Sequence, residues 1–248
     1  MHTKIHLLLL FTSISSLYAQ HSVIECDRPD QTETPAVVPH NHLQVESGLY
    51  FEKSSDLNRA TLPACLIKYG IKDIAEFRFE IESPVDIHNT ETHIGINPIA
   101  IGLKMKLCDE KNYRPKISII AMSSIPILAT KKHIDIHPTP EIRLLIQKSL
   151  SSRISISSNV GVLWSGESFT TTALYTITSG FVIREKWGSY IELYGFVPVN
   201  QRSSNFFDGG ITYTPKNNIM LDISSGISID RQKPDWWVGT GISFRLPN

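Results

Sequence analysis

Ile74-Ala75-Glu76-Phe77-Arg78-Phe79-Glu80-Ile81-Glu82 alternates apolar and charged residues without a break. Successive side chains of an extended strand point to opposite faces. Ala75, Phe77, Phe79 and Ile81 therefore share one face, and Glu76, Arg78, Glu80 and Glu82 share the other. A helix would scatter both sets around its axis. Comparable segments recur about twelve times from Leu43 to the C-terminus, each bounded by turn residues, and a chain built almost wholly of them reads as a transmembrane β-barrel. The expected fold is all-β: an antiparallel up-and-down barrel of about twelve strands with apolar residues toward lipid. The strands are expected at 42–53, 61–70, 74–83, 94–107, 116–126, 140–148, 153–164, 169–183, 189–197, 206–214, 219–229 and 236–246.

The first residues suggest export. Lys4 supplies a positive start, Ile5 to Phe11 an apolar core, and Ser16-Leu17-Tyr18-Ala19 a small-residue cleavage site after Ala19. The apolar run falls short of the ~20 residues that a spanning helix needs. Cys26 is preceded by Glu25 and lies beyond the expected cut, so it does not read as a lipid-bearing cysteine. Residues 1–19 are thus expected to be a signal peptide, 20–41 an extended periplasmic N-terminal segment and 42–248 the barrel. The bacterial outer membrane is the expected location, reached with the help of the outer-membrane assembly machinery.

The 24 basic and 24 acidic residues cancel over the 248-residue chain. Loss of Lys4 leaves the mature chain one unit negative. There is no basic excess to bind nucleic acid. Mean hydropathy is near zero, as expected when lipid-facing and lumen-facing residues alternate. Three cysteines leave at least one unpaired. A Cys26–Cys108 disulfide and three free thiols are both open.

Connection lengths give the barrel an orientation. With both termini in the periplasm, the inward turns are Gly70–Asp73, Cys108–Pro115, Ser149–Ser152, Arg184–Gly188 and Pro215–Asn218, mostly short. The outward ones are Ser54–Ala60, Pro84–His93, Ile127–Thr139, Ser165–Ser168, Pro198–Asn205 and Asp230–Asp235, mostly longer. Outer-membrane barrels sort their loops in this way. Aromatics support the same depth. Trp164, Phe169, Phe206, Phe207, Trp236 and Trp237 fall at outer strand ends, and Tyr69, Trp187, Tyr190, Tyr213 and Phe244 near the periplasmic ends, as an interfacial belt would. The final strand should close the ring on the first, with Val238, Ile242, Phe244 and Leu246 toward lipid and Gly239, Gly241, Ser243 and Arg245 inward.

Several segments resemble a known group in chain order. They are Asp27-Arg28-Pro29-Asp30-Gln31-Thr32-Glu33-Thr34, then Leu62-Pro63-x-x-Leu66-Ile67-Lys68-Tyr69-Gly70-Ile71-Lys72-Asp73 followed by Glu76-Phe77-Arg78. Gly102-Leu103-Lys104, Asp208-Gly209-Gly210-Ile211-Thr212-Tyr213 and Trp237-x-Gly239-x-Gly241 follow. Together they resemble a bacterial outer-membrane family whose members are called transporters or phenol meta-pathway degradation proteins. The resemblance implies an outer-membrane barrel, with hydrophobic or aromatic compounds as thinkable solutes. This chain departs from the pattern at Ile125-Pro126-Ile127-Leu128, where such proteins often carry a Pro and a Gly.

Strand phase lists the lumen candidates: Glu46, Glu76, Arg78, Glu80, Glu82, Lys104, Lys106, Arg143, Arg153, Glu192, Asp222 and Arg245. Gln44, Tyr50, Glu52, Lys68, Glu141, Gln147, Ser157, Asn159, Tyr194 and Asp208 share the inward phase. The charges nearly balance, which argues against a pore selective for one sign. They either border a narrow aqueous path for a small solute or pair across strands and fill the barrel, since twelve strands lie between filled small barrels and open porins. Arg28 and the carboxylates Asp27, Asp30 and Glu33 could pair with these lumen charges if the N-terminal segment folds inward; a periplasmic tail is the alternative.

Enzyme motifs such as G-x-S-x-G, H-E-x-x-H, a P-loop or a dinucleotide fingerprint are absent from the sequence. No catalytic residue, cofactor or metal is expected. His133, Asp135 and His137 would share one face of an extended loop, but such spacing is common in solvated loops. The expected function is passive passage of a small solute; the alternative is a non-conducting structural or surface-interaction barrel.

Overall fold

The computed structural model describes residues 22–54, 58–88, 91–126, 129–130, 137–230 and 234–247. The proposed signal peptide, and His133 and Asp135 of the loop triad, lie outside these residues. Thirteen strands form: β1 (Leu43–Lys53), β2 (Asn58–Ile71), β3 (Ala75–His88), β4 (Glu91–Ile94), β5 (Ile99–Cys108), β6 (Lys116–Ile125), β7 (Pro140–Ser149), β8 (Ile154–Trp164), β9 (Thr171–Arg184), β10 (Trp187–Pro198), β11 (Ser204–Lys216), β12 (Ile219–Ser228) and β13 (Trp236–Leu246). Twelve of them close into one antiparallel barrel. β1 pairs with both β2 and β13, β2 with β3, β3 with β5, and each later strand with the next. Among the described residues β4 pairs only with the end of β3.

The closing seam runs in register from Leu43 opposite Leu246 to Lys53 opposite Trp236. Closure leaves no unpaired edge to face hydrocarbon. The burial pattern is that of a soluble protein turned inside out. Leu103, Met105, Leu107, Ile191, Ile223 and Ile242 are exposed, while Gln44, Glu46, Lys68, Glu76, Arg78 and Lys104 are at most 1 % exposed.

The fourth expected strand and the second outer loop need correction. β3 continues through Pro84 to His88, and β4 folds back on it, so the next barrel strand starts at Ile99 rather than at residue 94. Pro84 cannot donate a ladder hydrogen bond, which makes it read as a stop. Its neighbours on β2 still pair, with Thr61 opposite Pro84 and Ala60 opposite Val85. Across the other side, the Gly95 amide donates to the Pro84 carbonyl at 3.0 Å and the Asn97 amide to the Glu82 carbonyl at 2.9 Å. The proline thus removes one donor without ending the strand.

The interfacial reading of three aromatics is also corrected. Tyr190, Phe206 and Trp237 are buried inside the barrel, whereas their neighbours Ile191, Phe207 and Trp236 are exposed. Phe206 shares the parity of Asp208, Tyr190 that of Glu192 and Trp237 that of Gly239. Phase decides their direction, and position near a strand end does not override it.

Candidate functional site in the barrel lumen

The N-terminal segment lies inside the barrel as a loop that enters and leaves at the short-turn end. Ile24 N–H donates to the carbonyl of Asn217, in the turn between β11 and β12, at 2.7 Å. Glu25 pairs with Lys116 of β6, and Arg245 of β13 donates to the carbonyl of Ser22. The segment then crosses toward β8–β10. Gln31 N–H donates to Glu192, Glu33 N–H to Asn159 Oδ1 at 2.7 Å, and Asn159 returns a bond to the Glu33 carbonyl. It comes back past β6, β5 and β3. Ser118 donates to the Pro35 carbonyl, Lys104 to that of Thr34, and Val38 N–H to Glu76 at 2.7 Å. His40 N–H reaches Asp73 in the turn between β2 and β3. An extended segment without sheet partners must satisfy its backbone groups elsewhere, and here lumen side chains do so.

Two electrostatic anchors hold it. At the first, Asp27 contacts Lys68 at 2.8 Å, Arg78 at 2.8 Å and Lys104 at 2.9 Å. Arg78 also pairs with Glu33 at 2.7 Å and Glu76 at 3.0 Å, and Lys68 pairs with Glu46. Glu76 stands opposite Lys104 in the β3–β5 ladder, which sets their contact at 3.5 Å. Glu46 further accepts the backbone N–H groups of Asp27 and Arg28 at 2.9 and 3.0 Å. Burial works against ionisation of Asp27, but Lys104, Lys68 and Arg78 outweigh it and hold its carboxyl well below the usual carboxylate range.

At the second anchor, the Arg28 guanidinium bonds both oxygens of Asp222, at 2.8 and 3.3 Å, and the Tyr50 hydroxyl at 2.5 Å. It enters through a notch where Gly48 of β1 stands opposite Gly241 of β13. A Cβ at Gly48 would lie 2.0 Å from Arg28 Nη1, and one at Gly241 would lie 2.4 Å from Nη2. Neither position tolerates a side chain while Arg28 is seated. Thr32 adds a third, uncharged contact by bonding Glu192, Thr176 and Thr178.

Two of the cavities among the described residues lie one on each side of the loop's tip. The first, about 400 Å3, opens among the short turns and is lined by Arg153, Ser157, Tyr190, Pro29 and Asp30. The second, about 490 Å3, opens among the long loops and is lined by Glu52, Glu80, Tyr194, Trp237, Pro29 and Asp30. Pro29 and Asp30 border both. Burial and the charge of Glu192 push the Asp30 carboxyl well above its ordinary range.

The proposed lumen set therefore divides. Glu46, Glu76, Arg78, Lys104, Glu192, Asp222 and Arg245 contact the N-terminal segment directly, as does Arg143 through the Gln31 carbonyl at 3.3 Å. Glu80 and Glu82 line the outer cavity. Lys106, paired with Asp109 at 3.0 Å, and Arg153, exposed in the turn before β8, sit instead at the short-turn rim. They share the inward parity but lie at the barrel's end, beyond the ion network. Tyr190, Phe206 and Trp237 belong to the lumen and are absent from the sequence-derived list, although their parity marks them. Cys26, Cys65 and Cys108 are free. Among the described residues no cluster of His, Cys, Asp and Glu could hold a metal.

The family profile described as "Putative MetA-pathway of phenol degradation" matches residues 26–246. The chain belongs to this family. The matched stretch of this family member begins within the lumen loop at Cys26, so it takes in both anchors and every barrel strand. Among curated proteins, none matches the sequence. Among solved structures, the family member is similar to an outer membrane channel from Pseudomonas putida F1, with TM-score 0.67 and 8 % identity over 85 % of this chain and 97 % of that one. It is similar to the NanC porin, with TM-score 0.54 and 9 % identity over 82 % and 100 % of the two chains. The KdgM porin, solved in complex with disordered oligogalacturonate, gives TM-score 0.53 and 9 % identity over 82 % and 98 %. At these identities the likeness is one of fold, and the fold is that of outer-membrane channels and porins.

Proposed function

We propose that this protein is an outer-membrane channel through which small solutes with an aromatic or apolar body pass passively. One observation carries the reading: cavities toward the two ends of the barrel both border Pro29 and Asp30, so what stands between them is an inserted loop rather than the wall. A loop held by hydrogen bonds and ion pairs can shift without breaking the barrel's ladder, whereas a wall cannot. The family description, which names phenol degradation, and the aromatic side chains of the outer cavity favour a solute with an aromatic body. No energy-coupling motif stands in the sequence, so passage down a gradient is the fitting mode. Placement in the outer membrane by the assembly machinery, after removal of residues 1–19, is part of the same proposal.

Purified full-length protein in liposomes tests it. Uptake of a small neutral aromatic such as benzyl alcohol, faster than in protein-free liposomes and paired with discrete conductance steps in planar bilayers, is the expected result. Protein that shows heat-modifiable barrel mobility but neither uptake nor conductance would instead establish a closed barrel filled by its salt bridges.

A further inference from the structure

The two short turns that join β9 to β10 and β11 to β12 are tied to each other. The Thr214 N–H donates to the Lys186 carbonyl at 2.9 Å, and the Lys186 ammonium donates to the Pro215 carbonyl at 3.1 Å. Three exposed cations, Arg184, Lys186 and Lys216, are gathered on these turns. No side-chain hydrogen bond or ion pair joins Arg184 or Lys216 to another of the described residues. Glu185 is the one acid of the two turns; it is exposed, and it pairs with none of the three cations. Elsewhere on the short-turn rim, acids take up the neighbouring cations. Lys106 pairs with Asp109 at 3.0 Å, Lys116 with Glu25 at 3.3 Å and Lys148 with Glu110 at 2.8 Å. The sector at β9–β12 thus keeps a positive charge that the protein does not itself balance.

A second, independent feature is the face on which the register puts these cations. Arg184 stands opposite Trp187, Trp187 opposite Tyr213, and Tyr213 opposite Leu221. Residues directly opposite one another in an antiparallel ladder share a face, and Trp187 and Leu221 are exposed on the outer wall. Lys216 stands opposite Ile219, which is out of phase with the buried Met220 and so shares that outer face. The Trp187 and Tyr213 rings lie 4.6 Å apart, centroid to centroid. Further from the barrel's end, Ile191, Ile211 and Ile223 continue the exposed apolar surface. From the rim toward the middle, the wall therefore presents cations, then an aromatic pair of the kind that settles at a membrane interface, then aliphatic side chains. A phospholipid presents its phosphate, its glycerol region and its acyl chains in the same order.

We propose that this sector of the rim binds an anionic phospholipid. Arg184 and Lys216, with Lys186 beside them, take the headgroup phosphate, Trp187 and Tyr213 hold the interfacial region, and the acyl chains lie on Ile191, Ile211 and Ile223. Each cation near the membrane surface adds attraction for an anionic headgroup. A zwitterionic headgroup gains less, because its own ammonium already balances its phosphate. Free phosphate lacks the apolar body that the aromatic pair and the isoleucines receive. The site lies on the outer wall, whereas the inserted loop lies within the lumen, so it stands or falls separately from the channel reading.

The test uses full-length protein in phosphatidylcholine vesicles that carry a small fraction of lipid with brominated chains, since bromine quenches a tryptophan that it touches. The difference between wild-type and Trp187→Phe protein isolates the Trp187 signal. Brominated phosphatidylglycerol should quench that signal at about fivefold lower mole fraction than brominated phosphatidylcholine, the effect of one cation near the membrane surface. The signal that remains in Trp187→Phe, from tryptophans toward the long-loop end, should show no such preference. Arg184→Gln and Lys216→Gln should each shrink the preference, and the double variant should bring it below about twofold. Lys111→Gln, which removes an exposed cation from the turn between β5 and β6, should leave it unchanged. Added salt should weaken it, because exposed charges are screened. Equal quenching by the two lipids would overturn the site. So would a preference that survives in the double variant with heat-modifiable mobility intact, or one that inorganic phosphate abolishes at constant ionic strength.

Discussion

Asp27 is the residue on which the lumen loop depends most, because three buried cations converge on its carboxylate. Removing one member of a buried ion network costs roughly 3–5 kcal/mol, since the partners are left uncompensated. Asp27→Asn keeps the shape and removes the charge. It should release residues 22–41 to protease or amide exchange while leaving the barrel's strand ladder protected. The pH dependence follows from the direction of its shift. A carboxyl held below its ordinary value contributes fully above about pH 3.9 and loses that contribution as pH falls below it, through the docked value. Asp27's own contribution should therefore persist from neutral pH to about pH 5 and be lost only in stronger acid; wild type and Asp27→Asn should differ in loop protection at neutral pH and converge in strong acid, and equal protection at neutral pH would mean that Asp27 is not the anchor. At the second anchor the glycine notch is the weak point. Gly48→Ala should displace Arg28 from Asp222, because its Cβ would occupy the guanidinium's place. Unchanged loop protection in that variant would mean that the notch has room to spare. Buried ion networks specify an arrangement more reliably than they add net stability, which suits a loop that must have one resting position.

At the scale of the element, alternation did most of the work. A strand that buries Glu76 and Arg78 while exposing Phe77 has only one sensible setting in a membrane. Shifting it by one residue would put every charge into lipid. Leu103 of β5 is half exposed on the outer face, and Leu103→Arg should destabilise the barrel by ~2–4 kcal/mol if it lies near the bilayer midplane. Urea unfolding in lipid vesicles measures this, and no change would place Leu103 at the interface. The period also made most of the architecture legible from sequence, including the closing pair of β1 and β13. What escaped had physical causes. Pro84 reads as a stop, but a proline costs a strand only one donor. Residue type and depth place Tyr190, Phe206 and Trp237 in an interfacial belt, but parity alone fixes their direction, into the lumen. The path of the N-terminal loop was the least legible, because an extended segment without a partner strand has no period. Its charges allow pairing with lumen groups, while which ones it meets depends on strand tilt and depth, and no local pattern records those.

At the scale of the molecule, twelve strands close into the tube and a loop inserted from the short-turn end fills part of its lumen; in the channel proposed above, that loop sets the bore. The wall is fixed by a continuous ladder of backbone bonds. The loop is fixed by side chains, at two anchors centred on Asp27 and Arg28. In the proposed channel this division of labour separates stability from passage, because displacing the loop breaks no bond of the barrel's ladder. It also places Pro29 and Asp30 on the border of both the inner and the outer cavity. The most direct test is single-channel conductance in planar bilayers of the wild-type chain beside an Asp27→Asn, Arg28→Ala double variant, both shown by heat-modifiable mobility to be folded barrels. The account predicts a severalfold larger conductance for the double variant. Equal conductance would contradict it, because the inserted loop would then not be what narrows the path.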